Sequence, residues 1–441
     1  MKILSISHPA PALFLLFISI FPCGGYCQPA DSIFSFHAQT TIIRQFKPAF
    51  TAKYTGANSL RTGEEGKSSL TSTLYSAMRL WKGATICLNP EIAGGSGLSG
   101  ALGVAASSNG ETFRVGDPAP AIYLARLFLS QEFALSGEFE YRHDDFNQPA
   151  GKYPLSYIGI HAGKISVADF FDDNTYSHDP RTRFMSWGLM GNGAWDYPAN
   201  TRGYTPGIIF EYVSPLREVR YAAALLPEDA NGSDMNTSIG KSSAHSLEYT
   251  MNITHGSKAG VLRLLFFLNT AGLGSYRESI GEKPVFPDIT STRKYGRTKY
   301  GFTLNTEQEI NDFMGCFLRA GWNDGQNETW TYTEIDRTLS MGISARGGRW
   351  NRTGDHAGAG FVVSGLSKPH RDYLRAGGKG FILGDGYLSY AYENLAEVYY
   401  SSELVKNNIF LSAAYQFLLH PGYNSDRGPV NIFSVRLHAR I

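Results

Sequence analysis

The sequence predicts an all-β chain: a transmembrane antiparallel β-barrel of about 16 strands, with about 18 the alternative, and a long loop folded inward as a constriction. Three observations carry this. Segments of about ten residues alternate strictly between apolar and polar side chains, the period of a sheet with two unlike faces. Those segments exceed the roughly 5–6 residues of an ordinary soluble strand and suit a tilted strand crossing a bilayer. The composition is rich in aromatics (13%) and poor in charge (18%), with 48 glycines in 441 residues.

The first residues read as an address. Lys2 supplies a positive start, Ala12 to Phe21 an apolar stretch, and Gly25 and Cys27 small residues around a cut before Gln28. That pattern is a secretory signal peptide over residues 1–27, leaving one barrel domain over 28–441. A membrane helix needs about 18 or more apolar residues, and this stretch has about ten. Cys23 and Cys27 leave with the signal. Cys87 and Cys316 remain, too few and too distant for a disulfide scaffold. No Cys/His cluster has zinc-ligand spacing, so no metal and no cofactor is expected.

Charge excludes other classes. Forty basic and 39 acidic residues leave a net charge of +1, without the basic excess of a nucleic-acid partner. Beyond the signal, the best apolar run is Val261 to Leu268, of strand length and interrupted by Arg263.

Alternation assigns the faces. His245 to Ile253 sets Leu247, Tyr249, Met251 and Ile253 against Ser246, Glu248, Thr250 and Asn252. Phe313 to Trp322 sets Met314, Cys316, Leu318, Ala320 and Trp322 against Gly315 and Arg319. Ile409 to Phe417 sets Ile409, Leu411, Ala413, Tyr415 and Phe417 against Ser412, Ala414 and Gln416. The last segment sets Phe433, Val435, Leu437, Ala439 and Ile441 against Ser434, Arg436, His438 and Arg440. The apolar sets should meet lipid and the polar sets the lumen. A soluble sandwich shares this alternation. Strand length, the closing alternating strand, and aromatics at strand ends (Trp81, Trp322, Tyr399, Tyr400, Tyr423) favour the barrel, where such rings form an interfacial girdle. At about 25 residues per strand and turn, the mature length fits 16 strands around an aqueous channel. No repeat suggests a propeller.

Two irregular stretches should carry function. Gly94 to Pro120 is glycine-rich and holds Arg114 and Asp117, both expected to line the pore. Its Gly95-Ser96-Gly97 lacks the lysine and register of a phosphate loop. Gly163 to Gly207 is the denser one. Asp169, Asp172, Asp173, Asp179 and Asp196 supply carboxylates, Arg181, Arg183 and Arg202 guanidiniums, and Phe170, Phe171, Trp187, Trp195 and Tyr197 flat apolar faces. Carboxylates and guanidiniums bind hydroxyls in plane, and aromatic faces stack on the C–H face of a pyranose. Opposed charges across a narrow passage order water and favour polar, neutral solutes. The stretch from Asp169 to Asp196 is therefore expected to form the constriction, with Trp187 and Trp195 as stacking platforms.

A resemblance agrees. Gly163-Lys164-Ile165-Ser166-Val167-Ala168-Asp169-Phe170-Phe171-Asp172, then Asn174, Tyr176, Asp179-Pro180-Arg181 and Phe184, resembles the carbohydrate-selective porin family (OprB-like). So do Glu397 with Tyr399, Tyr415-Gln416, and the run from His420 through Pro421, Asn424 and Asp426-Arg427-Gly428-Pro429-Val430 into Arg436-Leu437. His420 stands where the family's turn asparagine belongs, and Ile441 where it ends in an aromatic. The resemblance implies a 16-stranded barrel in the outer membrane of a Gram-negative bacterium, passing mono- or oligosaccharides by facilitated diffusion. Its partners are outer-membrane lipid and the barrel-assembly machinery, as monomer or trimer. Glu397, Gln416, Arg319 and Arg436 are then expected to line the pore.

Enzyme readings are weaker, and no catalytic residue is assigned. A barrel hydrolase needs Ser and His at matched depth on neighbouring strands. Ser242 and Ser246 are near His245 only in sequence, and His161, His178 and His255 lack a nucleophile elbow nearby. Asp172 and Asp173 are adjacent, an unsuitable arrangement for two carboxylates facing each other across a sugar. A barrel hydrolase and a non-conducting structural or adhesion barrel remain the alternatives.

Overall fold

A computed structural model describes residues 31–112 and 119–441. The signal-peptide segment, Arg114 and Asp117 lie outside the described residues. In chain order the strands are β1 (Phe34–Lys47), β2 (Glu65–Trp81), β3 (Ala84–Gly95), β4 (Ala121–Ala134), β5 (Phe139–Arg142), β6 (Gly151–Pro154), β7 (Tyr157–Ile165), β8 (Thr205–Val213) and β9 (Arg217–Ala224). There follow β10 (Ser243–His255), β11 (Lys258–Ala271), β12 (Arg297–Asn311), β13 (Met314–Asn323), β14 (Arg337–Gly347), β15 (Arg352–Gly365), β16 (Glu393–Val405), β17 (Ile409–Leu419) and β18 (Val430–Arg440). Sixteen of them form one closed antiparallel barrel, each beside its sequence neighbour, with β1 pairing β18 to close it. The other two, β5 and β6, make a separate hairpin.

The alternating segments fall on strands with the expected faces. Leu411, Phe433 and Leu437 are exposed outward, while Glu248, Arg319, Gln416, Arg436 and His438 are buried inward. Met314 and Leu318 share the outward face, half-buried. Arg263 in β11 also points inward, 3.6 Å from Glu307. Of the expected girdle, Trp81, Trp322 and Tyr400 are exposed, but Tyr399 and Tyr423 are not. Tyr399 packs edge-on against Phe184, and Tyr423 is buried among the loops, so both turn inward and leave the girdle. Cys87 and Cys316 are free thiols.

The two ends differ. At one, six turns of two to four residues join the strands, while a 22-residue connection, 135–156, carries β5 and β6. Gly256, at φ +62, makes one of these tight turns. At the other end, connections run from 10 to 39 residues, the longest being 166–204 between β7 and β8. It contains the short helix α1 (Trp187–Met190), and α2 (Tyr276–Glu282) and α3 (Lys368–Arg375) lie in two further long loops. His420 begins one long-end loop at φ +55, a left-handed conformation that asparagine tolerates better than histidine.

Loops fill part of the lumen. Lumen-facing glycines make room: a Cβ at Gly315 would meet Tyr176, at Gly321 Asn192, and at Gly360 Phe184 and Leu189. Loop 166–204 packs there with loop 96–120 and the other long loops into one apolar cluster.

Candidate functional site

Buried polar side chains on the barrel wall clamp the longest loop. Arg319 gives Nε to Asp172 Oδ1 (3.0 Å), Nη2 to the Asp172 carbonyl (3.0 Å), and Nη1 to the Leu189 carbonyl (3.1 Å) and the Ser177 hydroxyl. Glu397 accepts the backbone N–H groups of Met185 (2.7 Å) and Ser186 (2.9 Å). Gln416 donates to Glu397 (2.9 Å) and to the Ser108 carbonyl of loop 96–120 (2.9 Å). Arg436 donates to the carbonyls of Pro180 (2.7 Å) and Arg183 (2.8 Å). Asp196 reaches the other way, accepting the backbone of Trp330 (2.9 Å), Thr331 (2.8 Å) and Tyr332 (3.2 Å).

These placements correct part of the sequence reading. Arg319, Glu397, Gln416 and Arg436 face the lumen, but they lie beneath the loops and do not border open space. Asp172 and Asp196 are consumed as anchors. Arg183 is held by His356 at 3.0 Å. Trp187 packs on Tyr332 (4.7 Å between ring centres), and Trp195 between Phe171 (6.1 Å) and Tyr197 (5.5 Å). With Trp195 only 2% exposed, neither tryptophan offers a face to a solute in this arrangement. Asp169, Asp173, Asp179 and Arg181 do line the cavity.

That cavity, about 1380 Å³, runs along the β2–β9 side of the barrel. A charged cluster on its wall, termed the neck below, is built around Arg181. Nε of Arg181 donates to Glu111 (2.9 Å), Nη1 to the Tyr75 hydroxyl (3.2 Å), and Nη2 lies 3.4 Å from Glu91. Glu91 also accepts from the hydroxyls of Tyr123 and Tyr204, the latter at 3.1 Å. Alongside, Arg126 makes a two-pronged pair with Asp169 (2.6 and 2.7 Å) beneath the Tyr204 ring, while its Nη1 has no partner among the described residues. Arg202 sits over the Tyr123 ring at 4.1 Å. Three guanidiniums, Arg126, Arg181 and Arg202, thus meet four carboxylates, Glu91, Glu111, Asp169 and Asp179, a closely opposed set of charges. Burial pushes the Glu111 carboxyl up despite Arg181. Burial also opposes ionisation of Asp179, yet the Arg181 and His178 charges hold it below the usual carboxylate range.

Sequence reading missed Tyr75, Glu91, Glu111, Tyr123, Arg126 and Tyr204. Arg126 was hidden by a bulge. Asn89 pairs with Arg126 and Pro90 with Leu124, so Ala125 is an extra residue on β4. Tyr123 and Arg126 therefore share a face at a spacing of three, which strict alternation separates. The legible signal for Glu91 was a single acid inside an otherwise uncharged strand.

Deeper in the cavity, His161 stands opposite Ser130 in the β4–β7 register and accepts or donates through Nδ1 to its hydroxyl. Its Nε2 is 2.9 Å from Glu211, which pairs with Arg220 at 2.8 Å. This meets the matched-depth condition for Ser and His that the sequence left unfilled. No cluster of three metal-binding side chains occurs among the described residues.

Comparison with known proteins follows this geometry. The chain is similar to Pseudomonas putida OprB in its high-pH structure: 15% identity, 92% of this chain and 94% of that one covered, TM-score 0.71. The low-pH structure of the same Pseudomonas putida protein gives 10% identity, 92% coverage of each chain and TM-score 0.51. At these identities the likeness is one of fold. No curated protein matches the chain. The family model described as carbohydrate-selective porin, OprB family, matches residues 57–440, nearly the whole barrel. The chain therefore belongs to the OprB family of carbohydrate-selective porins, and its barrel is an outer-membrane channel.

Proposed function

We propose that sugars are selected at the neck formed by Arg126, Arg181, Arg202, Glu91, Glu111, Asp169 and Asp179, with Tyr75, Tyr123 and Tyr204 as its hydroxyl-bearing walls. One observation carries the reading: three guanidiniums and four carboxylates converge on one part of the cavity wall. A sugar hydroxyl both donates and accepts, so it can exchange with these paired groups in succession as it moves. Close pairing of opposite charges limits the well that a small ion meets, and weak sequential contacts let a solute leave. The substrates are mono- or oligosaccharides. In Gram-negative outer membrane the apolar belt meets lipid, after export by a signal peptide cut before Gln28 and insertion by the barrel-assembly machinery, as monomer or trimer.

The test is planar-bilayer conductance with a panel of sugars. Hydrogen bonds to a charged group contribute about 1.5–3 kcal/mol, so Arg181→Ala should weaken sugar block roughly ten-fold or more. Block unchanged in both Arg181→Ala and Arg126→Ala refutes the neck as the selective site. The hydrolase alternative draws on Ser130, His161 and Glu211. It requires that the purified porin cleave an ester and that Ser130→Ala abolish cleavage while sugar flux continues.

A further inference from the structure

The short-turn end, which is the periplasmic end in such barrels, carries one connection out of scale with the rest. Residues 135–156 span 22 positions where the six other turns span two to four. The segment does not hang outside. Phe146, near its tip, stacks on Tyr75 (ring centres 4.4 Å apart, planes at 20°) and meets His37 edge-on at 5.6 Å. Tyr75 lies six residues inside the end of β2, roughly 20 Å along the strand at about 3.3 Å per residue. Asn147 exchanges amide hydrogen bonds with the fully buried Asn89 of β3 (2.7 and 3.1 Å). At the base, Arg79 donates to the Pro149 carbonyl at 3.1 Å, and the Tyr153 ring is held between Arg79 and Arg142, each at 4.9 Å.

The tip is therefore fixed within the lumen on the β1–β3 wall. On the adjoining strands β4, β7, β8 and β9 stand Glu132, His161, Glu211 and Arg220, and these four border the same cavity as Arg142, Phe146, Asn147 and Gln148 of the segment. A solute leaving the neck meets this second polar passage before it reaches the periplasm. Phe146 also touches the neck through one intermediary, since the Tyr75 hydroxyl it supports accepts from Arg181.

We propose that the 135–156 hairpin is a second, periplasm-facing filter for neutral polyhydroxylated solutes, set in series with the neck. Its Arg142 and Gln148 act with Glu132 and Glu211 as hydroxyl partners, and Phe146 is a positioning residue for Tyr75. The inference rests on the reading that this cavity is the permeation path.

The experiment replaces residues 137–154 by a two-residue Asn-Gly turn in the full chain, with heat-modifiable gel mobility verifying barrel closure. Single-channel conductance should rise about two-fold or more, and the preference for monosaccharide over disaccharide flux should fall, because the inner restriction in series is gone. In a second variant, Gln148→Cys in a Cys87→Ser/Cys316→Ser background, a charged thiol reagent should cut the current. Unchanged conductance and selectivity in the hairpin variant, with current insensitive to the reagent at position 148, overturns the inference. If Arg181→Ala loses sugar block in that same series, the neck reading stands while the inner filter falls.

Discussion

Replacing Arg319 by alanine should release loop 166–204 without opening the barrel. Arg319 is fully buried and joins β13 to Asp172, Ser177 and Leu189 of the loop. Removing one partner of a buried pair costs about 3–5 kcal/mol, because the remaining charge is left without a counter-ion. Two effects act on that figure. The Leu189 carbonyl loses this donor, which adds to the cost. Asp172 keeps Asn305 Nδ2 at 2.8 Å and the Asn192 N–H at 2.7 Å, which relieves its carboxylate. The net is about 4 kcal/mol, roughly a thousand-fold in the population of the detached loop. Tryptophan fluorescence should report an earlier denaturant transition for Trp187 and Trp195, distinct from loss of the barrel by gel mobility. Bilayer recordings should show noisier, larger currents. A shift below about 1 kcal/mol with quiet, unchanged conductance would refute the anchoring argument.

Other outcomes test separate parts. Leu411→Arg, on the lipid face, should cost about 2–4 kcal/mol in barrel stability, and Ser412→Arg on the adjacent lumenal position should be penalised by steric crowding rather than by lipid; refolding into bilayers across denaturant, with Ser412→Lys and Ser412→Gln equally affected, separates the two. Trp195→Ala should destabilise the loop by about 3–5 kcal/mol through a cavity, with sugar affinity per folded channel changed little; a large affinity loss in fully folded channels would restore a stacking role. Asp336, at the foot of a long loop, is buried, which opposes its ionisation, yet the His370 and Lys299 charges hold it well below the usual carboxylate range. Its contribution is complete above an ordinary pKa of about 4 and is lost only as pH falls through the depressed value. Asp336→Asn should therefore destabilise the loops at neutral pH and flatten their acid unfolding, measured by hydrogen exchange; an unchanged acid profile counts against it.

Legibility followed periodicity. The outward face of β13, β17 and β18 and the inward Arg319, Gln416 and Arg436 could be read because a strand's period is two, whatever surrounds it. The loop 166–204 announced itself by length and by opposed charges. What periodicity does not encode is which lumenal group ends beneath a loop and which beside water. Glu397 and Glu91 are both inward acids on long strands, yet one caps the backbone of Met185 and Ser186 and the other faces Arg181 in the neck. That difference is decided by tertiary packing of residues 90 positions away for Glu91 and 211 or more for Glu397. The bulge at Ala125 broke the rule locally and concealed Arg126, and the inward hairpin left no periodic trace at all.

The filling of the lumen by loops separates calibre from wall. Sixteen strands fix a circumference far wider than a sugar, and the bore that remains is whatever the inserted loops leave along β2–β9. Width is thus written in segments that carry no ladder hydrogen bonds of the cylinder. Changes in those segments can retune cargo while the sheet, its register and its closure at β1–β18 stay as they are. The glycines at 315, 321 and 360 are the sockets of this arrangement: by withholding side chains from the wall they let a removable lining determine what the pipe admits.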